Sequence, residues 1–98
     1  MDDRYYPSEA LQVALERKGI VREKQDLLSL LALLPSRFFH DNIRFYLEIR
    51  SYPSYTIIYQ SDEYWYTKYS HQNFVEVVAE AVFDLLEKKV IPPHMKQR

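Results

Sequence analysis

Apolar and polar positions alternate from Ile43 to Arg50, with Ile43, Phe45, Leu47 and Ile49 on one side and Arg44, Tyr46, Glu48 and Arg50 on the other. A period of two is that of a strand with one face buried and one in water. Breaks at Pro53-Ser54 and Ser61-Asp62 separate two further runs, Tyr55 to Gln60 and Glu63 to Tyr69. Such short connections predict a three-stranded antiparallel meander. Downstream the period changes to that of a helix. Phe74, Val77, Val78, Ala81, Val82, Leu85 and Leu86 recur at spacings of three and four, and Glu76, Glu80, Asp84 and Glu87 take the opposite side. Ser70 is a candidate N-cap, Lys88 and Lys89 complement the negative helix end, and Pro92-Pro93 closes the helix.

Two helices precede the strands. Pro7 and Ser8 suit a helix start, Arg17 and Lys18 suit its last turn, and Gly19 supplies the left-handed residue that stops it, with Ile20 folding back. The stripe of Leu11, Ala14 and Leu15 is narrow, so this helix is expected at the periphery. A second helix is expected over Arg22 to Leu34. Leu27, Leu30, Leu31 and Leu34 form its apolar stripe, Arg22 to Gln25 its polar opening, and Pro35 its end. Ser36 to Asn42 reads as a connector. The whole is an α+β domain over residues 1–93: helix, helix, meander, then a long C-terminal helix packed on one sheet face, with 94–98 a frayed tail.

Strand register decides which side chains share a face. With even-numbered hairpin loops, Tyr52 pairs with Tyr55, Ile49 with Ile58, Tyr59 with Tyr64, and Ile58 with Trp65. The inner face is then Ile43, Phe45, Leu47, Ile49, Ile58, Trp65 and Tyr69. The outer face gathers Arg44, Tyr46, Glu48, Arg50, Tyr52, Tyr55, Ile57, Tyr59, Tyr64, Tyr66 and Lys68. A three-residue loop at Pro53 turns Tyr55, Ile57 and Tyr59 inward instead, and Pro53-Ser54 is not the turn pair that fixes the length. The even register makes Arg44, Tyr46, Arg50, Tyr55, Ile57, Tyr59, Tyr64, Tyr66 and Lys68 the candidate binding surface. Tyrosine suits an interface because a rigid apolar body carries a polar tip at little entropic loss. Three occupants of that face are open: the chain's own leucine helix or Phe38-Phe39 segment, a protein partner (most simply a second copy), or a single strand of nucleic acid with Arg44, Arg50 and Lys68 on phosphate.

Composition narrows the function further. The 98 residues hold nine Tyr, one Gly and no Cys, and the net charge is -1. A lone Gly excludes glycine-rich phosphate cradles, and the lack of Cys excludes zinc ribbons, thiol nucleophiles and disulfides. Near-neutral charge offers no global attraction to polyanions. Met1 leads into Asp2, Asp3 and Arg4, unlike a secretory leader, and the run Leu27–Leu34 is too short to span a bilayer, so a cytoplasmic protein without membrane partners is expected.

Catalytic chemistry is sparse. His40-Asp41 could orient an imidazole and His71 ends the sheet, yet neither has a nucleophile at a meaningful spacing. Glu76 and Glu80 are one helical turn apart, Asp62-Glu63 reads as turn chemistry, and His40, His71 and His94 are dispersed, so no catalytic residue, metal site or cofactor is assigned and the chain is expected not to be an enzyme.

Three likenesses follow from these segments. Leu27-Leu28-Ser29-Leu30-Leu31 and Leu30-Leu31-Ala32-Leu33-Leu34 resemble the coactivator box that docks on nuclear receptors. The element order from Pro7 to Val90 is similar to the double-stranded-RNA-binding domain. That family contacts RNA through a Gly-Pro-X-His loop and a lysine cluster; here the corresponding stretches are Tyr52-Pro53-Ser54-Tyr55 and His71-Gln72-Asn73, so no RNA-binding residue carries over. Ser8-Glu9-Ala10-Leu11 and Val78-Ala79-Glu80-Ala81-Val82-Phe83-Asp84-Leu85-Leu86 resemble segments of small uncharacterised α+β proteins of bacteriophages and mobile elements, which implies a phage or bacterial accessory protein. The expected function is a non-enzymatic interaction module that self-associates through the tyrosine face, the alternative being a nucleic-acid-binding accessory protein using the same aromatic surface.

Overall fold

A computed structural model describes residues 6–91; the 94–98 tail lies outside them. The elements are α1 (Glu9–Arg17), a single 3-10 turn (Arg22–Lys24), α2 (Leu27–Leu33), β1 (Arg37–His40), β2 (Ile43–Arg50), β3 (Tyr55–Gln60), β4 (Trp65–His71) and α3 (Phe74–Glu87). The architecture is α+β, with one antiparallel sheet in the order β1-β2-β3-β4 and α3 packed on β3 and β4. Both α1 and α2 pack on α3, so the helices gather on one side of the sheet.

Helix ends follow local chemistry closely. Gly19, at φ 96°, stops α1. The Ile20 N–H reaches Leu15 O at 3.0 Å and the Gly19 N–H reaches Glu16 O at 2.9 Å, the paired bonds of a Schellman stop. The same device ends α3, where Val90 N–H donates to Leu85 O and Lys89 N–H to Leu86 O. There Lys89, rather than Gly, takes the left-handed position at φ 62°. Pro92-Pro93, expected to close the helix, lies outside the described residues. At its start the cap is Asn73, whose side chain accepts the Glu76 N–H, in place of the expected Ser70.

The second helix is shorter than its leucines suggest. Asp26 caps it by accepting the Ser29 N–H at 3.3 Å, and Arg22–Lys24 forms a separate turn before it. Gln25, expected to be solvated, is fully buried between them. Its amide donates to Gln12 O at 3.1 Å and Ile20 O at 2.9 Å, tying the connection back onto α1. Within the leucine run, Leu30 and Leu33 are core and Leu28 is 77% exposed, so the double leucine signature serves packing.

The segment expected as a connector is the first strand. Asp41 and Asn42, at φ 52° and 66°, make a two-residue turn with both central residues left-handed. It pairs His40 with Ile43 and Phe38 with Phe45, which turns Phe38 inward and Phe39 outward. The meander therefore has four strands.

The core lies between the sheet and α3, where Val75, Val77, Val78, Ala79, Ala81, Val82, Leu85 and Leu86 are all buried. A helix buried around most of its girth contributes more than an amphipathic surface helix, since each large apolar side chain fully removed from water is worth about 1.5–3 kcal/mol.

Candidate functional site

Register differs from the even-loop expectation at two places, and each has a physical cause. Between β2 and β3, Ile49 pairs with Ile57, Leu47 with Tyr59 and Arg50 with Thr56. An odd number of residues then separates the last pair, which reverses the faces of the whole third strand. Tyr55, Ile57 and Tyr59 turn inward and Ile58 outward. Tyr59 is wholly buried and its hydroxyl donates to Pro35 O at 2.7 Å. Burial pushes its ionisation well above the ordinary tyrosine range. Tyr55 stacks on Phe74 at 5.1 Å between ring centroids.

The second cause is a bulge. Tyr59 pairs with Thr67 whereas Gln60 pairs with Trp65, so Tyr66 is an extra residue in β4. A bulge re-aims the side chain beside it. Tyr66 packs inward against Phe38 and Phe45 at 5.0 and 5.4 Å, while Trp65 faces out and is 65% exposed. Tyr69 is inward as expected and donates its hydroxyl to Asp84.

Of the expected binding surface, Tyr55, Ile57, Tyr59 and Tyr66 are thus core or packed on it, while Arg44, Tyr46, Arg50 and Lys68 stand on the open face and Tyr64 at its turn end. The register adds Arg37, Phe39, Ile58 and Trp65 to that face. Phe39 and Trp65 had no outward signal in the sequence: the first depended on an unrecognised strand, the second on the bulge. Neither α2 nor the Phe38-Phe39 segment covers the face, because α2 sits on α3 and the segment is a strand of the sheet itself.

The open face has a definite order. One row across the strands runs Arg37, Tyr46, Gln60, Trp65, and the next runs Glu48, Ile58, Lys68. Ile58 is 5% exposed yet lies outside the main core, forming with Arg50, Gln60, Trp65 and Lys68 a depression of about 190 Å³. Lys68 Nζ lies 5.9 Å from the Trp65 ring centroid, and Arg44 Cζ 4.8 Å from that of Phe39. Such cation–aromatic contacts set a cation over one face of each ring. Glu48 is occupied: one carboxylate oxygen accepts from Arg50 Nε and the other from Gln60 Nε2. The Arg50 bond holds the Glu48 carboxyl below its ordinary range. No carboxylate among the described residues is in a salt bridge with Arg37, Arg44 or Lys68. A second depression, about 320 Å³, lies at the turn end between Arg44, Tyr46 and Tyr64, with Asp62 and Glu63 on its rim.

The catalytic candidates resolve into local structure. His40 Nε2 is 3.4 Å from Asp41 Oδ2 on an exposed turn. His71 Nδ1 accepts the Asn73 N–H at 2.9 Å and so shapes the entry to α3. Glu76 accepts the Ser8 N–H, which latches the start of α1 to α3, and Glu80 is exposed. No group of three metal-ligating side chains converges among the described residues, and no helix there is long and apolar enough to cross a membrane. Comparison of the chain with protein-family models, curated proteins and solved structures returned no match.

Proposed function

We propose that the chain is a non-enzymatic binding module whose working surface is the open sheet face. The observation that carries this reading is Phe39, Tyr46 and Trp65, 64%, 48% and 65% exposed, on a face that no helix among the described residues covers. Large rings on one uncovered face mark an interaction surface more than they serve the fold. A cytoplasmic accessory protein fits the cysteine-free sequence. Self-association through this face is the competing reading. It is disfavoured because the tyrosines meant to join two sheets are mostly inside, and a two-fold pairing sets a cationic face against its own copy.

The test is the double change Phe39→Ser with Trp65→Ser, measured by urea unfolding and by light scattering. A working surface predicts a stability change within roughly 1 kcal/mol and a monomer at all concentrations. A loss of several kcal/mol makes the rings structural and overturns the reading. A concentration-dependent dimer in the wild type, abolished by the double change, replaces it with self-association.

A further inference from the structure

Resting on that reading, we infer that the occupant of the open face is single-stranded nucleic acid, with bases stacked on Tyr46 and Trp65 and the backbone held by Arg37, Arg44 and Lys68. Charge complementarity selects this partner. The only carboxylate in the strand rows of the face, Glu48, is bound by Arg50 and Gln60, which leaves Arg37, Arg44 and Lys68 without a carboxylate in a salt bridge among the described residues. Arg37, Arg44, Arg50 and Lys68 thus stand on the face itself, while the other acids of the sheet side, Asp41, Asp62 and Glu63, lie in its turns. An attraction that the whole-chain charge denies is local to one surface.

Geometry agrees with the charge. Tyr46 and Trp65 lie in one row, separated by Gln60 on the strand between them. Neighbouring strands are about 4.8 Å apart, so the two rings stand roughly 10 Å from one another across the sheet. Aromatics on an open four-stranded sheet stack about two or three bases, and any base presents a face to a ring, so the binding is sequence-tolerant. Duplex bases are already stacked and paired, so only an unpaired strand offers them. Asp62 and Glu63, which line the same turn-end depression as Arg44, repel phosphate beyond it and direct the strand from Arg37 and Arg44 towards Lys68.

Trp65 is the chain's single tryptophan, so its emission reports on this face alone. The full chain is titrated with an unstructured thymidine oligonucleotide, a matched duplex, and an acidic peptide of equal length, at low and moderate salt. The expected result is quenching by the single strand, weaker binding to the duplex, and an affinity that falls roughly 20-fold from about 50 to about 200 mM salt if three cations meet phosphate. Tyr46→Ala weakens binding at least about fivefold, and Lys68→Gln weakens it while flattening the salt dependence. Circular dichroism confirms that each variant is folded. Absence of quenching by the single strand at low salt overturns the inference. If the acidic peptide quenches instead, the open-face reading survives with a protein partner. If the oligonucleotide binds without quenching and both variants bind as the wild type does, nucleic acid docks elsewhere and both the inference and the open-face reading fail.

Discussion

Tyrosine 59 illustrates how one residue can read as surface and function as core. Its ring is fully enclosed and its hydroxyl bonds the Pro35 carbonyl at 2.7 Å, which joins the sheet to the end of α2. Deleting that hydroxyl strands a carbonyl in a part-buried place, where an unmet polar group costs about 1–3 kcal/mol. Tyr59→Phe is therefore expected to lower the urea midpoint by that order, while Tyr64→Phe, at an exposed ring, leaves it unchanged. Equal effects would mean that the inward register is wrong. Gln25 is the other residue of this kind, a polar side chain at zero exposure whose amide nitrogen serves two backbone carbonyls. Its carbonyl oxygen has no partner among the described residues. A buried amide is retained there because the turn between α1 and α2 offers acceptors that no apolar side chain can satisfy.

At the scale of elements, caps set where each helix begins and ends, and the leucine stripe does not. Periodicity extends the second helix back to Arg22, but Asp26 offers its carboxylate to the Ser29 N–H and starts a new helix there. This bond holds the Asp26 carboxyl below its ordinary range, against a smaller opposing effect of burial. A carboxyl whose folded value is depressed stabilises the protein above its unfolded value of about 3.9, and that stability is lost as pH falls through the folded value. Asp26→Asn retains a capping oxygen without the charge. Its deficit relative to wild type, measured by melts from about pH 7 to about pH 2, is expected to vanish in acid. A deficit that is constant across that range would show that the charge of the cap contributes nothing. The missed first strand has the same origin: Asp41-Asn42 is a hairpin turn pair, a signal as local as a cap and outweighed by the loop-like look of its surroundings.

For the whole molecule, the C-terminal helix is the structural centre rather than a cover for the sheet. It packs on β3 and β4 and also on α1 and α2. Protection from hydrogen exchange is expected to be highest in α3 and β3 and lowest in β1, a four-residue edge strand. Faster exchange in α3 than in β1 would contradict this central place of the helix. The arrangement also explains why one sheet face is left over: all the large apolar stripes of the helices are spent on one another and on the inner face. The opposite face is then free to carry rings and cations together.

The sequence by itself determined the α+β class, the alternation of β2, the stop at Gly19 and the amphipathic C-terminal helix, because each rests on contacts within a few residues. It also placed Arg44, Tyr46, Arg50 and Lys68 on the outer face, since β2 has an unambiguous period and Lys68 alternates with the inward Tyr69. Only the tertiary structure decided the sides of Tyr55, Ile57 and Tyr59, and the exchange of Trp65 for Tyr66. The run from Tyr55 to Tyr59 is apolar or β-branched at every position and fits either way up, so its register is fixed by which rings fill the space beneath α3. One residue more or less in a loop, or one bulged residue in a strand, reverses every face that follows it. No local pattern records that choice, and it is the choice that separates the core of this protein from its candidate binding surface.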